Sequence, residues 1–219
     1  MHRMSLAERK RQLVRDELAE AALQLLARQG YVNTTVEHIV AAAGVSRRTF
    51  FRHFQSKEDV LVQFLSDLGA RMCAELAARP AGEAPPVALR ETLMVFVQDF
   101  QVHPEKALAL TRLIFDTPAL RARYVERQDR WRGDLAAELA RRTGAADDDL
   151  RPALTAAAAL AALDVALAQW VRGGGTGDVC AVVDKALQIA VPNVPPPDPA
   201  PAAQAHPDLT GTRHIDHGT

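Results

Sequence analysis

Apolar residues recur along this chain at intervals of three and four, and almost nowhere at intervals of two. That spacing predicts helices that each bury one face. The first runs from about Ala7 to Gln29, with Val14, Leu18, Ala22, Leu25 and Leu26 on its apolar face and Gly30 as a stop signal. "NTTVEHIVAAAG" is a short helix ended by Gly44. Thr34 and Glu37 have the spacing of a capping box there, with Thr35 as the alternative cap. Ser46 caps a helix from Arg47 to His53, and Ser56 caps a fourth. In the fourth, Val60, Phe64, Leu68, Met72 and Leu76 follow one another every four residues. "ARPAGEAPP" breaks the chain.

Beyond the break, Val87 to Val102 carries Leu89, Leu93, Phe96, Val97 and Phe100 on one side. Pro104 opens a helix to Phe115, and Pro118 opens a long one to about Thr143 that bears Leu120, Tyr124, Trp131, Leu135 and Leu139. Arg151 to Arg172 is rich in alanine. "GGGTGD" interrupts, and Asp178 caps a last helix. The reading is an all-α fold of about nine helices. It divides into an N-terminal three-helix head (1–57), a helical body (58–191) and a Pro-rich tail (192–219) too poor in apolar residues to pack, hence expected to be disordered.

Charge sharpens this division. The whole chain carries a formal net charge of -1, so any surface for nucleic acid must be local. Residues 1–57 hold ten Lys/Arg against five Asp/Glu, and the body compensates. The second and third helices, joined by "AAGVS", make a helix-turn-helix. A helix of about seven residues cannot persist alone in water. Phe50 and Phe54 lie four apart and would bury with Ile39 and Val45, leaving Arg47, Arg48, Thr49 and Arg52 largely on other faces. A helix so anchored fits the DNA major groove. Thr34, Thr35 and Lys57 sit at helix N-termini where a phosphate can be held, and Arg9, Lys10 and Arg11 read as a basic arm ahead of the first helix.

The stretch "GYVNTTVEHIVAAAGVSRRTFFRHFQSKEDVL" resembles the DNA-binding domain of the TetR/AcrR family of bacterial transcription regulators, over about Leu13 to Leu61. The resemblance rests on Gly30, Thr34, Thr35, Val36, Ile39, Ala42, Gly44, Val45, Ser46, Phe50, Phe51, His53, Phe54, Lys57 and Leu61. It implies a homodimer with a DNA-binding head and a divergent ligand-binding body, whose two-fold axis calls for a palindromic operator. The residues leave repressor and activator both open; a head joined to a pocket most simply works in the cytoplasm as a repressor that blocks a promoter until a small-molecule effector releases it. It also implies that Arg47, Arg48 and Thr49 face bases, while Thr35, Phe51, His53 and Lys57 face the phosphate backbone. The family often has tyrosine where Phe51 stands; without a hydroxyl, that hydrogen bond passes to Arg48 or Arg52.

The family dimerises through its last two helices, here about 151–172 and 178–191. Small residues on the first and a Val179, Val183, Ala186, Leu187, Ala190 stripe on the second suit such a bundle. Candidates to line an effector pocket are Met72, Phe96, Phe100, Leu110, Ile114, Tyr124, Trp131, Asp164 and Trp170, for an apolar or acyl-CoA-like ligand. Asp164, within an apolar stripe, needs a partner: an arginine such as Arg112, the dimer seam, or the ligand. The small aromatic share of the chain argues against a large aromatic cage.

Other classes find less support. H-E-x-x-H, C-x-x-C, G-x-S-x-G and a Gly-rich loop ending in Lys-Ser/Thr are all missing, so no enzyme, metal site or cofactor is expected. Cys73 and Cys180 read as small buried thiols, and the tail histidines His206, His214 and His217 as solvated residues. The stretch from Ala153 to Val171 has the length of a membrane span, but Asp164 at its middle favours a buried or interface helix. A protein coating DNA without sequence preference is the remaining rival, and the Arg47–Arg48 pair favours specific reading instead.

Overall fold

The computed structural model describes residues 5–192. The expected tail, with its histidines, lies outside these residues. Nine α-helices and no strand occur among them: α1 (Leu6–Asn33), α2 (Val36–Ala42), α3 (Arg47–His53), α4 (Lys57–Ala78), α5 (Pro85–Val102), α6 (Pro104–Asp116), α7 (Pro118–Thr143), α8 (Arg151–Arg172) and α9 (Val179–Ala190).

Local chemistry sets these boundaries. Ser5 closes a capping box on α1, its Oγ accepting from the Glu8 N–H at 3.2 Å while Glu8 accepts from the Ser5 N–H at 2.7 Å. Arg9, Lys10 and Arg11 therefore belong to the first turns of α1 and are not an arm ahead of it. Gly30 adopts φ +77°, which interrupts α1 and lets one more turn follow at a new angle. Thr35, not Thr34, caps α2. Pro85, Pro104, Pro118 and Pro152 stand in the first turns of α5, α6, α7 and α8, where a missing N–H costs nothing.

Two cores result. The small one joins Leu18 and Ala22 of α1, Ile39 and Val40 of α2, Phe50 of α3, Phe54 and Val60. The large one runs through α4 to α9 and includes Leu23 of α1. α4 serves both, since Val60 lies in the first and Leu61 in the second. Along α4 the buried residues are Val60, Leu61, Leu65, Gly69, Met72 and Leu76. Phe64 and Leu68, expected in that stripe, turn to its flank because 3.6 residues per turn makes a strict four-residue repeat drift around the helix. Cys73 and Cys180 are half-buried rather than buried, and desolvation pushes both thiols up from their ordinary value. α8 is long and apolar enough by length and composition to cross a membrane, yet Ala156, Ala159, Leu160, Leu163 and Trp170 are buried among neighbouring helices.

Candidate nucleic-acid interface and interior cavity

Phe50 is the pivot of α3. It is fully buried, 5.7 Å from the Phe54 ring and edge-on to Phe51 at 5.4 Å. Ser46 caps the helix through the Thr49 N–H at 3.1 Å. With one face pinned, Arg47, Arg48, Phe51 and Arg52 project into solvent, and Thr49 is half-buried beside Ser46. Phe51 leaves 49% of its surface exposed beside the buried Phe50. The Arg47 guanidinium lies 5.9 Å from that ring's centroid and 3.0 Å from Glu37, so the N-termini of α2 and α3 adjoin. Thr35, the exposed cap of α2, stands two residues from Glu37.

Two expected phosphate contacts look inward instead. Thr34 is fully buried and donates its hydroxyl proton to the Gly30 carbonyl at 2.7 Å, closing the interrupted end of α1. Its side chain cannot face a phosphate. Lys57 donates to the carbonyls of Tyr31 and Thr34 at 2.6 and 2.8 Å and lies 4.0 Å over the Tyr31 ring. The Tyr31 hydroxyl in turn donates to Glu58, which pushes the phenol up to about 12. Lys57 thus ties the end of α1 to the start of α4.

His53 closes α3, half-buried, its Nε2 shielded and without a hydrogen-bond partner. Desolvation and the cations of Arg52, Arg15 and Arg11 hold its imidazole below the ordinary value. Arg15 also stacks 5.7 Å from the Phe54 ring. The end of α3 and the start of α1 therefore present several cations close together.

The body forms a cavity of about 260 Å³, open to solvent on one side, between α4, α5, α6, α7 and α8. Seven of the nine expected lining residues stand on its wall: Met72, Phe96, Phe100, Leu110, Ile114, Tyr124 and Trp131. Trp170 does not; it packs on the far side of Phe100 at 6.1 Å. Asp164 does not either. It accepts two hydrogen bonds from Arg121, not Arg112, at 3.1 and 2.8 Å. Arg121 lies 4.6 Å over Phe115 and 5.1 Å over Tyr124, so the pair braces the cavity wall from behind. Burial, then the Asp164 charge, pushes the Tyr124 phenol well above its ordinary value.

Although aromatics are few, they converge here. Four of the seven phenylalanines, one of two tyrosines and one of two tryptophans line this space. The expectation against an aromatic cage is therefore corrected. The wall's polar atoms are already engaged: Trp131 Nε1 donates to the Leu65 carbonyl at 3.1 Å, Thr111 to the Ala107 carbonyl at 2.7 Å, and Tyr124 accepts from Gln128 at 2.9 Å. Charged residues that periodicity did not single out, Arg71, Asp99, His103 and Lys106, also line it. Arg71 faces Asp99 at 3.8 Å, and Lys106 pairs with Glu20 of α1 at 2.7 Å. Among the described residues no cluster of His, Cys, Asp and Glu could hold a metal ion.

Known proteins share this arrangement. The sequence model of the bacterial regulatory proteins of the tetR family matches residues 18–64, and that of the MftR C-terminal domain matches residues 83–195. The HTH-type transcriptional regulator TcmR of Streptomyces glaucescens is 38% identical over 172 residues, spanning 75% of this chain and 76% of its own. In fold, FadR of Bacillus subtilis, solved with stearoyl-CoA, superposes with a TM-score of 0.62 at 19% identity, over 82% of this chain and 98% of its own. FadR of Thermus thermophilus, a repressor solved with lauroyl-CoA, gives 0.58 at 24%, over 85% and 98%. A basic helix-turn-helix on a helical body, matched at both ends of the chain, makes this protein a member of the TetR family of bacterial transcriptional regulators.

Proposed function

We propose that the chain is a cytoplasmic homodimeric repressor that binds a palindromic operator and leaves it when a small molecule occupies the cavity. The observation that carries this reading is the sharing of α1 and α4 by the head's core and the body's core. Any ligand that reshapes the cavity moves helices that also seat α3. Arg47, Arg48 and Thr49 read bases in the major groove, while Thr35, Phe51, Arg52 and His53 meet the sugar-phosphate backbone. The head ends near Lys57 and the body spans 58–191, with α4 as the shared beam.

Dimerisation joins α8 and α9 of two copies about a two-fold axis. Leu154 and Val165 of α8 are each 62% exposed and Ile189 of α9 is 74% exposed, an apolar face that supports this reading. Two α3 helices then reach half-sites about one helical turn apart. The effector has an apolar body, as the ring-rich wall and the acyl-CoA ligands of the two FadR structures suggest.

Selection from a random duplex pool with purified protein, followed by a salt titration on the winner, tests the proposal. The expected result is a palindromic consensus bound by a dimer, with affinity that falls steeply with salt. Enrichment of no sequence would contradict it.

A further inference from the structure

Resting on the reading of the cavity as an effector site, we propose that its ligand is an apolar ring compound bearing an anionic group, and that this anion draws Lys106 away from Glu20. Lys106 lines the cavity from α6, while its ammonium is paired at 2.7 Å with Glu20 of α1. α1 carries Leu18 and Ala22, which belong to the same head core as Phe50 of α3. One cation is thus shared between the ligand space and the DNA-binding head.

The charge pattern gives the ligand its sign. Cations around the cavity are Arg71 and Lys106, with His103 beside them on the same turn as Lys106; Asp99 is the one carboxylate on the wall, and it faces Arg71 at 3.8 Å. The rest of the lining is carbon, and its few hydroxyl and indole groups already have partners. A ligand that satisfied this space would place its rings among Phe64, Phe96, Phe100, Phe115 and Trp131 and its charge at the cationic end.

The energetics favour exchange. The Lys106–Glu20 pair is partly solvated, 34% and 54% exposed, so it contributes little on its own. An anion held next to apolar walls is less screened by water and competes well for the same ammonium. Glu20 then keeps its hydrogen bond from Gln24 of α1, and the α1–α6 contact between head and body loses this ion pair.

Two fluorescent probes test this on the full-length protein: 8-anilinonaphthalene-1-sulfonate and N-phenyl-1-naphthylamine, which has the same rings without the sulfonate. Lys106→Met is expected to weaken the sulfonate probe by about tenfold and the neutral one by less than about twofold. Glu20→Gln, which frees the ammonium, should tighten the sulfonate probe a few-fold. Leu110→Trp, which fills the cavity, should weaken both. Equal effects of Lys106→Met on the two probes, no effect on either, or binding of the sulfonate probe undiminished by Leu110→Trp would each overturn the proposal. Failure of the probes to bind wild-type protein would overturn it too. These titrations contain no DNA, so they fail or succeed separately from operator recognition. On the operator, the sulfonate probe alone should release the wild-type protein.

Discussion

The indole of Trp131 on α7 occupies the space that any side chain on Gly69 of α4 would need. Its Nε1 donates to the Leu65 carbonyl on the same helix, so ring and backbone meet closely where α4 and α7 cross. Gly69 is helical, and its role here is clearance rather than backbone freedom. Gly69→Ala should therefore force Trp131 outward into the cavity. The expected loss is about 1–3 kcal/mol, as for other overpacked cores. At this chain length that lowers the melting temperature by about 2–4 °C per kcal/mol. Thermal denaturation followed by Trp fluorescence reads both the loss and the displaced ring; an unchanged midpoint would contradict the packing described.

On the proposed reading of DNA by α3, Arg47 exchanges Glu37 for the groove. The pair is well exposed, at 64% and 57%, so releasing it costs little. Glu37 nevertheless adds a negative charge beside α3. Glu37→Gln should raise operator affinity a few-fold, while Arg47→Ala and Arg48→Ala should each weaken it by about 1–3 kcal/mol. Gel-shift titrations on the selected operator and on a scrambled duplex check this. If both arginine variants bind like wild type, α3 does not read bases through these residues.

Lys57 offers a sharper choice. Two of its three N–H groups are committed to the carbonyls of Tyr31 and Thr34. Lys57→Met should therefore destabilise the head, since hydrogen bonds to charged groups contribute about 1.5–3 kcal/mol, and weaken DNA binding by that route. The slope of log affinity against log salt should stay as in wild type. A slope lower by about one ion would instead place Lys57 on a phosphate, as the family resemblance implied.

Much of the fold was legible because its punctuation is local. Pro104, Pro118, Ser46, Ser56 and Asp178 mark their helices to within a residue, since caps and prolines act through the adjacent backbone. Part of the cavity wall was legible too, because Tyr124 and Trp131 lie a heptad apart and Phe96 and Phe100 four apart, which keeps each pair on one face. Partners across the fold were not. Nothing in spacing tells that Asp164 meets Arg121 rather than Arg112, or that Lys106 and Glu20, far apart in sequence, share a salt bridge. The inward bonds of Lys57 and Thr34 were not legible for a related reason. Both occupy positions at helix ends that suit phosphate binding, but those ends also face each other, and the backbone carbonyls of α1 claimed the donors first.

His53 links the head to pH, and its two effects run in opposite directions. In the free protein, desolvation and the charges of Arg52, Arg15 and Arg11 hold its imidazole below the ordinary 6.5. The unfolded chain keeps the ordinary value. Between the folded value and about 6.5 the unfolded state thus binds more protons, so stability is complete above pH 7 and falls as pH drops through that window. On the proposed phosphate contact, DNA would reverse the local field. A phosphate held beside the three arginines offsets their repulsion and favours the imidazolium. Binding then takes up a proton, and operator affinity should rise as pH falls from 7.5 to 5.5, while the melting temperature of the free protein declines. His53→Gln keeps a polar side chain but cannot titrate, so both slopes should flatten. Melting curves and gel-shift titrations at matched ionic strength measure the two trends. Wild type and variant sharing one affinity slope would remove His53 from the phosphate contact and leave it as a spacer at the end of α3.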